Sequence, residues 1–458
     1  MVKREKTVVK AKKTRKVREG VGLFLTGAVL ALVFILGLIW WVVEGSKSDL
    51  EKRGFEDRGV PVMEISLNGV ALSEIDEGSK ETKYEENEVT VYEDGETTEL
   101  DNVMIKGRGN GSWVREKKSY RISLDEKNNL LGLGRARKWN LLANAADDSS
   151  LRNEAAFDLQ KLLDMKYPFD GRFVELYIDG DYRGLYYLAR VVEIDKDLVD
   201  LRDDLGVLVE LDNYYGRTED YYMAKNGDLL VAKDSVSKDK RQLAMKEFLR
   251  AYNELEDAIV DKDFKRVEDV IDVESFAKYF LLSEFSVNPD AYWTSFFMYK
   301  DGVDDKIHAG PGWDFDLAFG NRNWGNWLGE KFYSPRETTI RKQELLPKEF
   351  YDENNIENGY EASLLLSRVM FNLIDLPEFN DEIERIFRER MAGREKEFIK
   401  EIDGSAEEIY VAAKTDELKW EKKDYEQELN ELIRWIKERY EYFEEVYGDN
   451  EYNLLEMV

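Results

Sequence analysis

The sequence predicts an α+β protein: a strand-rich N-terminal lobe, a helix-rich C-terminal lobe, and one transmembrane helix ahead of both. Three observations point there. Apolar residues alternate with period two from Val62 to about Ala232, broken by Asp-Gly and Asn-Gly turns. Beyond Asp239 the apolar spacing becomes helical. Near the N-terminus, Val21–Val43 carries no charge at all.

The chain of 458 residues opens on a basic segment, residues 1–20, with nine Lys and Arg against Glu5 and Glu19. The uncharged run that follows would span ~35 Å as a helix, enough to cross a bilayer. Trp40 and Trp41 close it, where amphipathic rings favour the headgroup interface. The basic flank keeps the N-terminus cytoplasmic. A cleaved signal peptide would have a shorter apolar region and a small-x-small site, whereas EGSKSD follows here. The expectation is a retained, single-pass cell-membrane anchor with the main domain extracytoplasmic. Residues 44–60 form a polar stalk and residues 61–450 the main domain.

Within that domain, VMEISL, EVTVYEDG and VMIKGRG read as strands, followed by Tyr120–Leu124 and Trp139–Asn144. A helix is expected at about Ser150–Leu163, with Leu151, Ala155, Leu159 and Leu162 on one face and Ser149 or Ser150 as cap. Residues 173–192 form a hairpin about Asp179-Gly180. Gly206–Leu211 and Asp228–Ala232 continue the strands. Helices follow at 239–260 and 273–286, then strand and loop at Ser295–Lys300 and Lys306–Gly320. Residues 360–447 are mostly helix, ending in one long helix from about Thr415 to Val446. Residues 320–358 have weak periodicity and suit a lid or an insertion.

Composition narrows the chemistry. The whole chain carries −29, and setting aside the +7 of the first twenty residues leaves −36 on residues 21–458. That field repels nucleic acid and attracts divalent cations and basic polypeptides. There is no cysteine, which excludes disulfides and thiol nucleophiles. His308 is the single histidine, so multi-histidine metal sites are excluded and acid–base work falls to carboxylates or lysine.

Four constellations stand out. The turn Gly107–Trp113 contains Arg108, Gly109, Asn110 and Ser112; its backbone suits an anion, or it is a plain hairpin turn. Arg115–Arg121 is a basic cluster, with Lys118 and Arg121 able to reach a phosphate or to lie on a solvated edge strand. Asp314 and Asp316, in GPGWDFDLAFGN, project to one face of an extended segment; hard oxygen donors at that spacing suit Mg²⁺, Mn²⁺ or Ca²⁺, although a turn-capping Asp is the plainer reading. Asp290, in Asn288-Pro289-Asp290, stands where a general base or a helix-ending turn belongs.

Taken in order, KGRGNGSW (106–113), KKSYRISL (117–124), LLGLGRARKWNLLANAADDSSLRNEAAFDL (130–159), RFVELYIDGDYRGLYYL (172–188), NPDAYWTSFFMYK (288–300) and GPGWDFDLAFGN (310–321) resemble the CotH family of spore-coat protein kinases. The resemblance implies an atypical protein-kinase-like bilobal fold and transfer of the ATP γ-phosphate to Ser or Thr of another protein. It implies Asp314 as ligand of Mg²⁺ (or Mn²⁺), Asp316 as a second acid near the metal, and Asp290 as base. Lys118 or Arg121 would hold the phosphates, and the 107–112 turn would cover the nucleotide. Glu175 would pair with the basic residue; Arg152 and Asn153 match a family motif without an assigned role, and Asn153 is counted with the nucleotide-binding residues. The acidic surface fits a basic protein substrate. Where the spore-coat kinase has an Asn after its base, this chain has Ser295. The family also contains surface adhesins, so a non-catalytic adhesin or envelope structural protein on the same fold is the alternative. A carboxylate-based enzyme acting on envelope glycans is a third reading.

Overall fold

A computed structural model describes residues 48–213, 220–288, 290–292, 294–321 and 368–448. The predicted membrane span at 21–43 and the segment 322–358 lie outside them. Among the described residues no helix is long and apolar enough to cross a membrane. Of the described residues, 48–57 and 94–96 group in one unit, in which Asp49–Lys52 is a single helical turn. The remainder is a second unit, and it has the expected α+β make-up, strand-rich first and helix-rich after.

Seven strands close into a barrel: β1 (Val62–Ser66), β2 (Tyr84–Glu93), β3 (Glu96–Arg108), β4 (Ser119–Asn129), β5 (Arg135–Leu142), β6 (Gly171–Ile178) and β7 (Asp181–Arg190). Helix α1 (Leu72–Glu77) joins β1 to β2, and α2 (Arg152–Leu162) joins β5 to β6. Neighbouring strands run antiparallel except at the seam, where β1 pairs parallel with β6, Met63 opposite Leu176. Closure removes the edges that an open sheet would leave. Period-two patterning separates the two faces. Val174, Leu176 and Ile178 join Met63, Ile105, Ile122 and Trp139 inside the barrel. Phe173, Leu185, Tyr187 and Ala189 point outward into the core of the helical part. The hairpin is therefore buried on both faces, which accounts for its nearly continuous apolar sequence.

The second sheet is antiparallel, in the order β12-β11-β8-β10-β9: β8 (Gly206–Leu211), β9 (Tyr221–Met223), β10 (Leu229–Ser235), β11 (Phe296–Asp301) and β12 (His308–Ala309). Helices α3 (Arg241–Val260), α4 (Phe264–Val270) and α5 (Val273–Ser286) lie between β10 and β11 in sequence. The C-terminal part adds α6 (Arg368–Leu373), α7 (Pro377–Arg390), α8 (Glu395–Trp420) and α9 (Tyr425–Tyr447). The single helix expected from Thr415 to Val446 is thus two. Glu421 turns left-handed at φ 50°, and the Asp424 carboxylate accepts the Gln427 N–H at 2.9 Å, starting a new helix.

One cap departs from the sequence reading. Helix α2 is capped by Asp147, whose carboxylate accepts the Arg152 N–H at 2.9 Å, rather than by Ser149 or Ser150. Helix α5 is capped by Asp272, which accepts the Ser275 N–H at 2.8 Å and lies 3.8 Å from His308 of β12. The His308 contact and the cap hold the Asp272 carboxyl at about 2 against the opposing effect of burial. Lowered below its unfolded value of 3.8, this group stabilises the fold above pH 4, and that stability is lost as pH falls toward 2. Discounted for solvent screening at a partly exposed carboxylate, the contribution is about 1 kcal/mol. Asp272→Asn should therefore cost about that much at pH 6 and almost nothing at pH 2, read from denaturant midpoints.

Candidate active site

The segment 310–321 crosses the molecule where the barrel's outer face meets the helices. Helix α2 holds its first half. Gln160 brackets Gly312, its Oε1 accepting the Gly312 N–H at 3.1 Å and its Nε2 donating to the Gly312 carbonyl at 3.2 Å. A Cβ on Gly312 would lie 2.6 Å from Leu282 and 3.1 Å from Gln160, so only glycine allows this approach. Trp313 stacks on Phe157 with ring centroids 6.1 Å apart and meets Phe169 edge-on at 4.9 Å. Asn153 accepts the Phe315 N–H at 3.0 Å. Between these anchors Asp314 adopts φ 69°.

Two further loops meet this turn. Asn288 donates to the Asp314 carbonyl at 3.3 Å, while its Oδ1 accepts the Asp290 N–H at 3.1 Å, tying the two acid-bearing loops together. Asn321 donates to the carbonyls of Asp316 and Ala146, joining the 144–150 loop. Among the described residues fifteen other than glycine have positive φ, and seven of them (Asn144, Ser150, Val287, Tyr292, Ser295, Asp314 and Phe319) fall in these three loops. For β-branched Val287 at φ 46° this is a true outlier. Such residues gather at sites where surrounding packing over-determines the backbone. Ser295 lies at φ 54°, a conformation in which Asn is enriched.

The electrostatics show what the loops bring together. Burial, then the charges of Asp314 and Asp290, push the Asp316 carboxyl up to about 8; Arg108 opposes them and Asp147 adds to them. Arg108, at the end of β3, lies with its guanidinium carbon 5.6 Å from the Trp313 ring centroid. On the same outer face of the barrel Arg121 stands opposite Lys106 and donates to Asn140 at 3.0 Å. Burial, and then Arg108, lower the Arg121 guanidinium to about 10. The two arginines repel each other, and neither forms an ion pair among the described residues. In a chain of net −29 two such neighbouring cations form a local positive patch.

The other predicted residues lie elsewhere. Lys118 turns its ammonium back onto its own loop, donating to the Trp113 carbonyl at 2.7 Å. The Gly107–Trp113 turn is pinned by Lys80, which donates to the Gly109 carbonyl at 3.0 Å and to Asn110. Gly109, at φ 88°, lies so close to Ser112 that a Cβ there would meet the Ser112 hydroxyl. Glu175 is fully buried on the barrel wall; Arg58 pairs with it at 2.7 Å and Tyr182 donates to it at 2.7 Å. Its basic partner is therefore Arg58, not a residue of β4. Arg152 gains a role as the buried partner of Asp147.

Sequence reasoning missed Gln160, Asn288, Asn321 and Asp147. A signal for Gln160 was present: with Asn153 and Phe157 it follows i, i+4, i+7 spacing on one helical face. Asn288 and Asn321 are loop residues that reach carbonyls of distant segments, at Asp314 and Ala146, whereas Asp147 binds Arg152 nearby in a turn with no periodic signal.

Could this donor set hold a metal? Among the described residues no group of three or more His, Asp or Glu is arranged to bind an ion by itself. Mg²⁺, however, is ordinarily held by one or two carboxylates together with substrate phosphates. Asp314 and Asp316, hard oxygen donors whose crowding already disfavours ionisation of Asp316, fit that pattern. Against known families, residues 105–443 match CotH kinase protein, and the chain belongs to that family. No curated protein matches it.

Proposed function

We propose that the chain is a membrane-anchored, extracytoplasmic protein kinase of atypical kinase-like bilobal fold, transferring the ATP γ-phosphate to Ser or Thr of a basic surface protein. The observation that carries the reading is the acid cluster of Asp290, Asp314 and Asp316 together with Arg108, which lies over Trp313, and its neighbour Arg121, neither arginine forming an ion pair among the described residues. Arg108 and Arg121 bind the anionic phosphates, replacing Lys118 in that part. Asp314 and Asp316 hold Mg²⁺ or Mn²⁺, which when bound neutralises charge on the phosphates. Asp290, steadied through Asn288, accepts the substrate hydroxyl's proton. Little covalent chemistry is asked of the protein; positioning and charge neutralisation suffice, and a chain without cysteine can supply both.

The test uses the full chain with γ-labelled ATP and Mg²⁺ or Mn²⁺, offering a basic Ser-rich peptide. Label on the peptide or the chain supports the reading. Arg108→Ala should weaken nucleotide affinity about 10- to 100-fold, as removal of a charge-assisted hydrogen bond does. No label, together with no nucleotide-induced rise in Tm, would overturn the kinase reading and favour the adhesin or envelope structural one.

A further inference from the structure

We infer that helix α2 is a three-point clamp for the acid-bearing turn, with Asn153 and Gln160 as positioning residues that hold Asp314 in its binding conformation. The inference rests on the kinase reading and adds what keeps that site in shape.

The clamp follows from helix geometry. Residues 153, 157 and 160 lie on one face of α2. That face meets three points of the turn: Gln160 at Gly312, Phe157 at Trp313 and Asn153 at Phe315. Asp314 is the turn residue between the outer two anchors and the one at φ 69°. A non-glycine residue there carries a conformational cost, so an unheld turn would relax toward ordinary φ and swing the carboxylate away. Each amide also has a second partner. Asn153 donates to Asn144 Oδ1 at 3.3 Å, and Gln160 Oε1 accepts the Phe169 N–H at 3.4 Å. Their orientations are thereby set by the fold rather than by a ligand. Both side chains are buried, at 4% and 0% exposure, which places Asn153 as a support of the site rather than a contact to nucleotide.

Full-length Asn153→Leu, Asn153→Asp and Gln160→Met test this. Hydrogen exchange reads the Phe315 amide, and Tb³⁺ luminescence sensitised by tryptophan reads cation binding at the turn. Asn153→Leu and Gln160→Met should speed local exchange and weaken Tb³⁺ binding about 10-fold, the scale of one lost hydrogen bond. Asn153→Asp keeps an oxygen for the Phe315 N–H and should restore both, although it too loses the donor to Asn144; a merely structural role would leave the two Asn153 variants alike. Should Asn153→Leu fail to fold, the other two variants decide. Wild-type Tb³⁺ affinity and exchange in Gln160→Met, or an Asn153→Asp variant with an exposed Phe315 amide, overturns the clamp. Failure of the wild type itself to bind Tb³⁺ sinks the kinase reading, while the exchange measurements still judge the clamp.

Discussion

Asp314→Ala and Asp290→Ala should each reduce phosphate transfer by about 10²- to 10⁴-fold while leaving the protein folded. Both carboxylates are half-buried, and they reach the site by different loops. Removing Asp314 takes a charge that repels Asp316, so Asp316 should ionise more readily. The two variants should differ in what they lose. Asp314→Ala should raise the Mg²⁺ concentration needed for half-maximal rate, because an oxygen donor is gone. Asp290→Ala should leave that requirement and nucleotide affinity near wild type and lower kcat, because a proton acceptor acts only during transfer. Initial rates against Mg²⁺ and against ATP separate the two. Equal rates in wild type and both variants would show that the observed transfer does not pass through this site.

Asp416→Ala should be the most damaging single change to stability away from the site, at about 3–5 kcal/mol. Asp416 of α8 is 1% exposed and pairs with Lys117 at 2.7 Å and with Lys422 at 3.0 Å. It also accepts the Leu185 N–H from β7 at 3.0 Å. Burial acts to raise this carboxyl, but the two ammonium groups outweigh it and hold it below the usual range. Its loss would leave the Lys422 ammonium, the Lys117 amine, which burial already lowers to about 7, and a backbone N–H without that acceptor. Lys422 also touches the Asn144 and Asp147 carbonyls, at 3.3 and 3.4 Å, so the 144–150 loop should loosen as well. Adding Lys117→Met to Asp416→Ala should recover part of the loss by removing one stranded amine, and denaturant midpoints at constant m-value report both effects. A loss under 1 kcal/mol would mean that water reaches this triad.

The strands, the hairpin at Asp179-Gly180 and the switch to helices were legible because their signals are local: period, turn dipeptides and apolar faces. The acid pair was legible for the same reason, since Trp313–Asp316 is contiguous. The barrel was not. Its seam joins Val62–Ile65 to Glu175–Ile178, and no local pattern states which strands will meet. The split of the last helix hid behind Glu421, a good helix former that here ends a helix. Among the bases, Lys118 drew attention by lying in a charged cluster, yet a strand aims alternate residues oppositely, and it is Lys106, Arg108 and Arg121 that share the outer face. Glu175 shows the same limit: its alternation was readable, its partner Arg58, more than a hundred residues earlier, was not.

The sealed barrel has a consequence for how neighbours can attach. Closure gives each barrel strand a neighbour on both sides, and the part of β3 ahead of Met104 runs beyond its register with β4, so little backbone ladder there remains to receive a foreign strand. The second sheet ends on β12, two residues long, and β9, three residues long, both poor templates for strand addition. Copies brought side by side would thus resist zipping into fibrils through these edges. A partner that docks on these described sheets would be recognised by side chains, the chemistry that changes most easily between one target and the next.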